Sequence, residues 1–145
     1  MNSVYDKYDH KKSSDNAREW LLEYEDWCDE AAKKKITVGG IAYDGMPKAH
    51  SYDPDKRIVE YTNATNQCRR RELVLEYIKS KGDIHETYSS ILEYRFVKHH
   101  WSVTHVRMKL HLAERTFTRM QNDALWEAAR IIPEDGILVK KQSGR

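Results

Sequence analysis

The chain has 145 residues, of which 33% are charged, with a net charge of +2 and a mean hydropathy of -0.86. That length makes one ordinary domain, or a small domain with a helical appendage, and it buries a core without metal or disulfide staples. Its apolar runs are too short for a membrane span, and residues 1–15 lack a signal-peptide stretch. Cys28 and Cys68 read as reduced core-side thiols, so the expected setting is the cytoplasm.

The small net charge conceals an asymmetry. Residues 95–145 carry ten Lys/Arg against five Asp/Glu, while 1–35 and 36–94 are each slightly acidic. His99, His100, His105 and His111 fall in the same basic third. A localised positive region is the footprint a polyanionic partner needs.

The predicted elements are helices, so the fold class is all-α. Residues 1–13 read as a disordered or frayed tail. Ser13, Ser14 and Asp15 offer N-caps for a first helix from about Asn16. Trp20, Tyr24, Trp27 and Ala31 recur at steps of four, three and four, one helical face, and Lys33 to Lys35 close the helix. Gly39, Gly40, Gly45 and Pro47 mark a loop over 36–53. Asp53-Pro54 then reads as N-cap and N1 of a long helix to about Lys81, with Gly82 as its stop. Its stripe is Ile58, Tyr61, Thr65, Cys68, Leu75 and Ile78, which suits packing on the first helix or on a second subunit. Residues 14–82 are thus expected to be a helical association region.

A further helix over Glu86–Val97 has Tyr88, Ile91, Leu92, Arg95 and Phe96 on its inner side, and His99 and His100 enter a loop. A short helix follows, capped by Ser102 and running to about Leu110, with Val103, Val106 and Leu110 inward. After the turn His111-Leu112-Ala113, a longer helix begins near Glu114. Phe117, Met120, Ala124, Leu125 and Ala128 form its apolar side. The opposite side carries Glu114, Arg115, Thr118, Arg119 and Asn122. A short helix, a tight turn and a longer basic amphipathic helix make the helix-turn-helix pattern, expected over a domain at 83–132 with a C-terminal tail at 133–145.

That face suits base edges. Arg115 and Arg119 lie four apart and can grip guanine O6 and N7, Asn122 can do the same to adenine, and Glu114 can accept from cytosine N4. Thr118 can meet a phosphate or a thymine methyl. Arg107, Lys109, Lys98 and the histidines are the expected phosphate contacts, which set register without reading sequence. The same pattern also fits the solvated face of a core-packed helix. Left-handed turns of this kind often hold glycine where His111 stands, and Ala113 supplies no capping oxygen.

The run Leu92-Glu93-Tyr94-Arg95-Phe96, Trp101-Ser102, Val106, Leu110, Leu112, Arg115-Thr116-Phe117 and Ala124 to Ala129 resembles the phage-encoded ArpU/RinA-type transcriptional regulators. Their C-terminal half is similar to the fourth region of bacterial sigma factors. The loop Asp44-Gly45-Met46-Pro47, with Asp53-Pro54 a few residues on, and the charged N-terminal helix followed by a long central helix resemble that group as well. The resemblance spans roughly residues 17–130. It implies a sigma factor-like activator of late bacteriophage or prophage genes, acting in a bacterial host on promoter DNA. Such a protein would be a homo-oligomer, with a dimer favoured, and host RNA polymerase would be a further partner. Ala113 departs from the Ser or Thr that usually caps the recognition helix there.

Other groupings point less far. His99, His100, His105 and His111 share no helical face and have no cysteine beside them, so no metal is expected. Arg69-Arg70-Arg71 has Glu72 and Glu76 as neighbours and reads as a solvated face. The four tryptophans read as packing anchors. Gly39-Gly40 is followed by no Gly-Lys-Ser/Thr, and no nucleophile-base pair is visible, so neither a cofactor nor an enzyme is expected. Two other readings fit the same pattern: a small terminase subunit that binds DNA for packaging, and a helical adaptor with no DNA role.

Overall fold

The computed structural model describes residues 3–44 and 54–142, with side chains over 3–36 and 55–142. The protein is all-α. Six α-helices occur among the described residues: α1 (His10–Leu22), α2 (Tyr24–Asp44), α3 (Pro54–Lys79), α4 (Asp83–Leu92), α5 (Val103–Leu110) and α6 (Glu114–Ile131). A π-helical turn, Glu93–Val97, extends α4. No helix among the described residues is long and apolar enough to cross a membrane.

The first helix starts earlier than its sequence suggests. Asp9 is the N-cap, accepting from the Lys12 amide at 2.9 Å, so residues 10–13 are helical rather than frayed. Ser13, which reads as a cap, is instead buried, and its Oγ accepts from the Val139 amide at 2.9 Å. The Asp9 amide donates to the Val139 carbonyl, the Lys141 amide donates to the Lys7 carbonyl, and Tyr8 bridges to Lys140. Asn16 Nδ2 reaches the carbonyls of Gly136 and Ile137. The segment after α6 is therefore tied to the N-terminus, and Ile137 joins the core. These are long-range pairings, which local spacing does not encode.

The expected single helix over 16–35 is two helices, broken at Glu23. A buried cation explains the break. Arg71 is 1% exposed, and its Nε donates to the Trp20 carbonyl at 3.0 Å while its NH2 pairs with Glu23 at 2.8 Å. Its guanidinium also lies 3.9 Å from the centre of the Trp20 ring. Beyond the break α2 runs to Asp44, through the stretch 36–44 expected as loop. Glycine lowers helix propensity by about 1 kcal/mol without forbidding the helix, so Gly39-Gly40 does not end it. Residues 45–53, including the Asp53 cap and the Gly45-Met46-Pro47 turn, lie outside the described residues.

α3 ends near Gly82 as expected, where φ is +142°. Its buried face is Ala64, Arg71, Val74, Leu75 and Ile78, whereas Ile58 is 53% exposed. The apolar stripe of the sequence thus sinks into the core only in its second half. One cluster unites Ala17, Trp20 and Leu21 of α1 with Val74, Leu75 and Ile78 of α3 and the inner sides of α4, the π turn, α5 and α6. It crosses the boundary expected between 82 and 83, because α1 packs on α6 and on the π turn. Small buried residues, Ala17 on α1 and Ala124, Ala128 and Ala129 on α6, let these helices lie close. α2 packs mainly along α3, and the outer part of this hairpin lies outside the core cluster.

Candidate nucleic-acid interface

The segment from Trp101 to Ala129 follows the sequence pattern closely. Ser102 caps α5, its Oγ accepting from the His105 amide at 3.1 Å. Val106 is fully buried, with Val103 and Leu110 half-buried. His111 adopts the left-handed conformation, φ 57° and ψ 47°, the position that glycine favours at helix ends. The Leu112 amide closes the turn on the Arg107 carbonyl at 2.9 Å. Ala113 is extended and gives α6 no side-chain cap. Glu114 sits in the first turn, where the helix dipole favours an anion.

α6 divides into two sides. Phe117, Met120, Ala124, Leu125 and Ala128 are all buried, while Glu114, Arg115, Thr118, Arg119 and Asn122 are all exposed. The ion pairs among the described residues include neither Arg115, Arg119 nor Lys109. Two guanidinium groups one turn apart thus face solvent on the helix that follows the turn. Thr118 Oγ1 donates to the Glu114 carbonyl at 3.0 Å, and the hydroxyl keeps its acceptor capacity. Asn122 borders a cleft of about 380 Å³ between α1 and α6, lined also by His10, Lys11, Asp15 and Arg18. It therefore marks where α1 begins to flank the exposed face.

The expected phosphate contacts separate. Lys109 is exposed on α5. Arg107 is half-buried, with Nε 3.4 Å from the Leu112 carbonyl, and helps hold the turn. Lys98 lines a groove with Glu72 and Glu76 of α3 and Glu93 of the π turn, so its neighbours are carboxylates rather than the α6 face. The histidines are also engaged: His99 and His105 stack on Trp101, with ring centres 4.8 and 4.0 Å away, and His100 lies 3.5 Å from Glu25. No group of three or more His, Cys, Asp or Glu among the described residues is arranged to hold a metal ion.

Arg95 positions this region in a way its place on an apolar stripe does not reveal. Its Nε donates to Gln121 Oε1 of α6 at 3.0 Å and its NH1 to the Trp101 carbonyl at 2.9 Å. It thereby joins the π turn, the entry to α5 and the middle of α6. Burial, and then the charge of Arg18, lower its basicity, but a guanidinium remains a cation at neutral pH. The one sequence signal was an arginine among Tyr88, Ile91, Leu92 and Phe96, where a buried charge requires partners.

Comparison with family models, with curated proteins and with solved structures finds no match.

Proposed function

We propose that the chain is a sequence-specific regulator that binds double-stranded DNA through a helix-turn-helix formed by α5, the His111 turn and α6. The observation that carries this reading is the solvent-facing pair Arg115 and Arg119, outside the ion pairs of the described residues, at the start of a helix whose opposite side is buried. The first two turns of α6 enter the major groove. Arg115 and Arg119 read guanine, Glu114 and Thr118 contact neighbouring groups, and Asn122 reads at the edge where α1 begins. Lys109 contacts phosphate, while Arg107 and Arg95 hold the reading elements in place.

The resemblance to ArpU/RinA-type regulators supports a promoter of late phage genes as the target and activation as the outcome, with host RNA polymerase as a partner. Ile58, Val59, Leu73 and Tyr77 of α3 are large and exposed, which favours self-association through this helix. A two-fold dimer would bind half-sites about 34–36 Å apart or a multiple of that.

Selection from a random duplex library, followed by titration of the winning sequence, tests the reading. The expected result is one enriched motif, bound more weakly by Arg119→Ala with relaxed preference at one base pair. Retention of DNA without any enriched motif would reduce the interface to a non-specific one. Absence of binding at low salt would leave the adaptor reading. The mass of the free protein separates a dimeric regulator from the ring of a packaging subunit.

A further inference from the structure

The chain has two cysteines, and the fold brings them together. Cys28 of α2 and Cys68 of α3 are both half-buried, and their Sγ atoms lie 3.1 Å apart with the Cys68 thiol directed at the Cys28 sulfur. Two cross-links fix the helices on either side of them. The Tyr24 hydroxyl donates to Glu72 at 2.7 Å, four residues before Cys28 and four after Cys68. Lys34 pairs with Glu60 at 2.7 Å further out along the hairpin. The register is thus held with the sulfurs opposed. A disulfide bond is about 2.05 Å long, so closure asks for a movement of roughly 1 Å.

We propose that Cys28 and Cys68 are a redox modification site, forming a reversible disulfide that staples α2 to α3. The oxidant is a low-molecular-weight disulfide, RSSR. One cysteine of the pair, as its thiolate, attacks one of its sulfurs, forming a Cys–S–SR mixed disulfide and expelling RS⁻. The other cysteine then releases its proton to solvent and attacks the protein sulfur of that mixed disulfide, forming the Cys28–Cys68 bond and expelling the second RS⁻. Two electrons pass from the protein thiols to RSSR, which leaves as two RSH after protonation, and excess RSH reverses both steps. Burial, and then its contact with Cys28, push the Cys68 thiol up to about 12, so it stays a thiol until solvent takes its proton. The bond would close residues 29–67 into a loop where the helices otherwise hold mainly each other, limiting how far the hairpin opens. The proposal stands apart from the DNA reading, and neither depends on the other.

The test uses the full chain incubated with oxidised glutathione, quenched in acid and analysed by intact mass and non-reducing peptide mapping. The wild type should lose two hydrogens as a monomer, yield a peptide linking Cys28 to Cys68, and recover on adding reduced glutathione. Cys68→Ser should stop at one glutathione on Cys28, and Cys28→Ser at one glutathione on Cys68. Limited proteolysis within the hairpin should slow in the oxidised wild type alone. Glutathione on both cysteines without an internal bridge, or bridges only between chains, would overturn the proposal, provided circular dichroism shows the helices intact.

Discussion

In α3 the three consecutive arginines all find carboxylates. Arg69 meets Glu72 and Glu76, Arg70 lies 3.9 Å from Glu134, and Arg71 is buried against Glu23 and Trp20. In α6 Arg115 and Arg119 face solvent outside the ion pairs of the described residues. The first set is the more conspicuous in the sequence, yet its charge is met within the fold, at Arg71 in the core. The less conspicuous pair keeps its charge facing solvent, where the proposed interface uses it. Both helices bury one side; what differs is that the α3 arginines pair with carboxylates, whereas no ion pair among the described residues includes Arg115 or Arg119.

This contrast can be broken most forcefully at Arg71. Arg71→Ala should destabilise folding by about 2–4 kcal/mol, because it empties a buried site and removes the guanidinium that joins the Trp20 carbonyl and ring to Glu23. Denaturant unfolding measures this, and a loss below about 0.5 kcal/mol, the range of ordinary surface changes, would show that Arg71 is dispensable to the core. Arg115→Ala and Arg119→Ala should do the reverse. Each should weaken binding to the selected DNA by about 1–3 kcal/mol while leaving the unfolding midpoint unchanged. A uniform loss on unrelated sequences would make them phosphate contacts instead.

Lys109→Ala should lower the slope of log affinity against log salt by about one unit, whereas Lys98→Ala, set among carboxylates, should leave it alone. Equal slopes for both variants would erase the distinction drawn between them. Ala113→Ser restores a capping oxygen to α6 and should add about 1 kcal/mol to stability, read as a raised thermal midpoint.

The smallest effect concerns Glu127. Burial opposes its ionisation, but hydrogen bonding from Lys81 and the charge of Arg130 hold it below the usual carboxylate range. A carboxyl group whose folded pKa is depressed stabilises the fold fully above its unfolded pKa, about 4.3, and loses that contribution as pH falls through the folded value. Glu127→Gln should therefore flatten the fall in stability below about pH 4.3. An unchanged pH profile would show that the contacts with Lys81 and Arg130 carry no net stabilisation.

The α6 sides, the Ser102 cap and the left-handed His111 were all legible in the sequence, because caps, turns and 3.6-residue periodicity are local. Periodicity also found the inward placement of Arg95, though not its bonds to Gln121 and Trp101, which join three elements. The break at Glu23 was hidden because its cause is Arg71, far along the chain. The order of residues 3–13 was hidden because Ser13 and Asn16 are satisfied by the segment after α6. In the hairpin, spacing placed Cys68 on the α3 stripe and Cys28 beside the stripe of the first helix, but could not show them facing each other, since that depends on the α2–α3 register. The carboxylates around Lys98 were hidden for a similar reason: they come from α3 and the π turn, and a cation's neighbours in space are not given by its rank in a basic stretch.

The most direct measurement of the central claim is selection from random duplex DNA with the wild type and with Arg115→Ala/Arg119→Ala in parallel. The proposed interface predicts one motif containing guanine for the wild type and its loss from the folded double variant, with residual, salt-sensitive binding to any duplex. An identical motif selected by both proteins would contradict it, since another surface would then be reading the sequence.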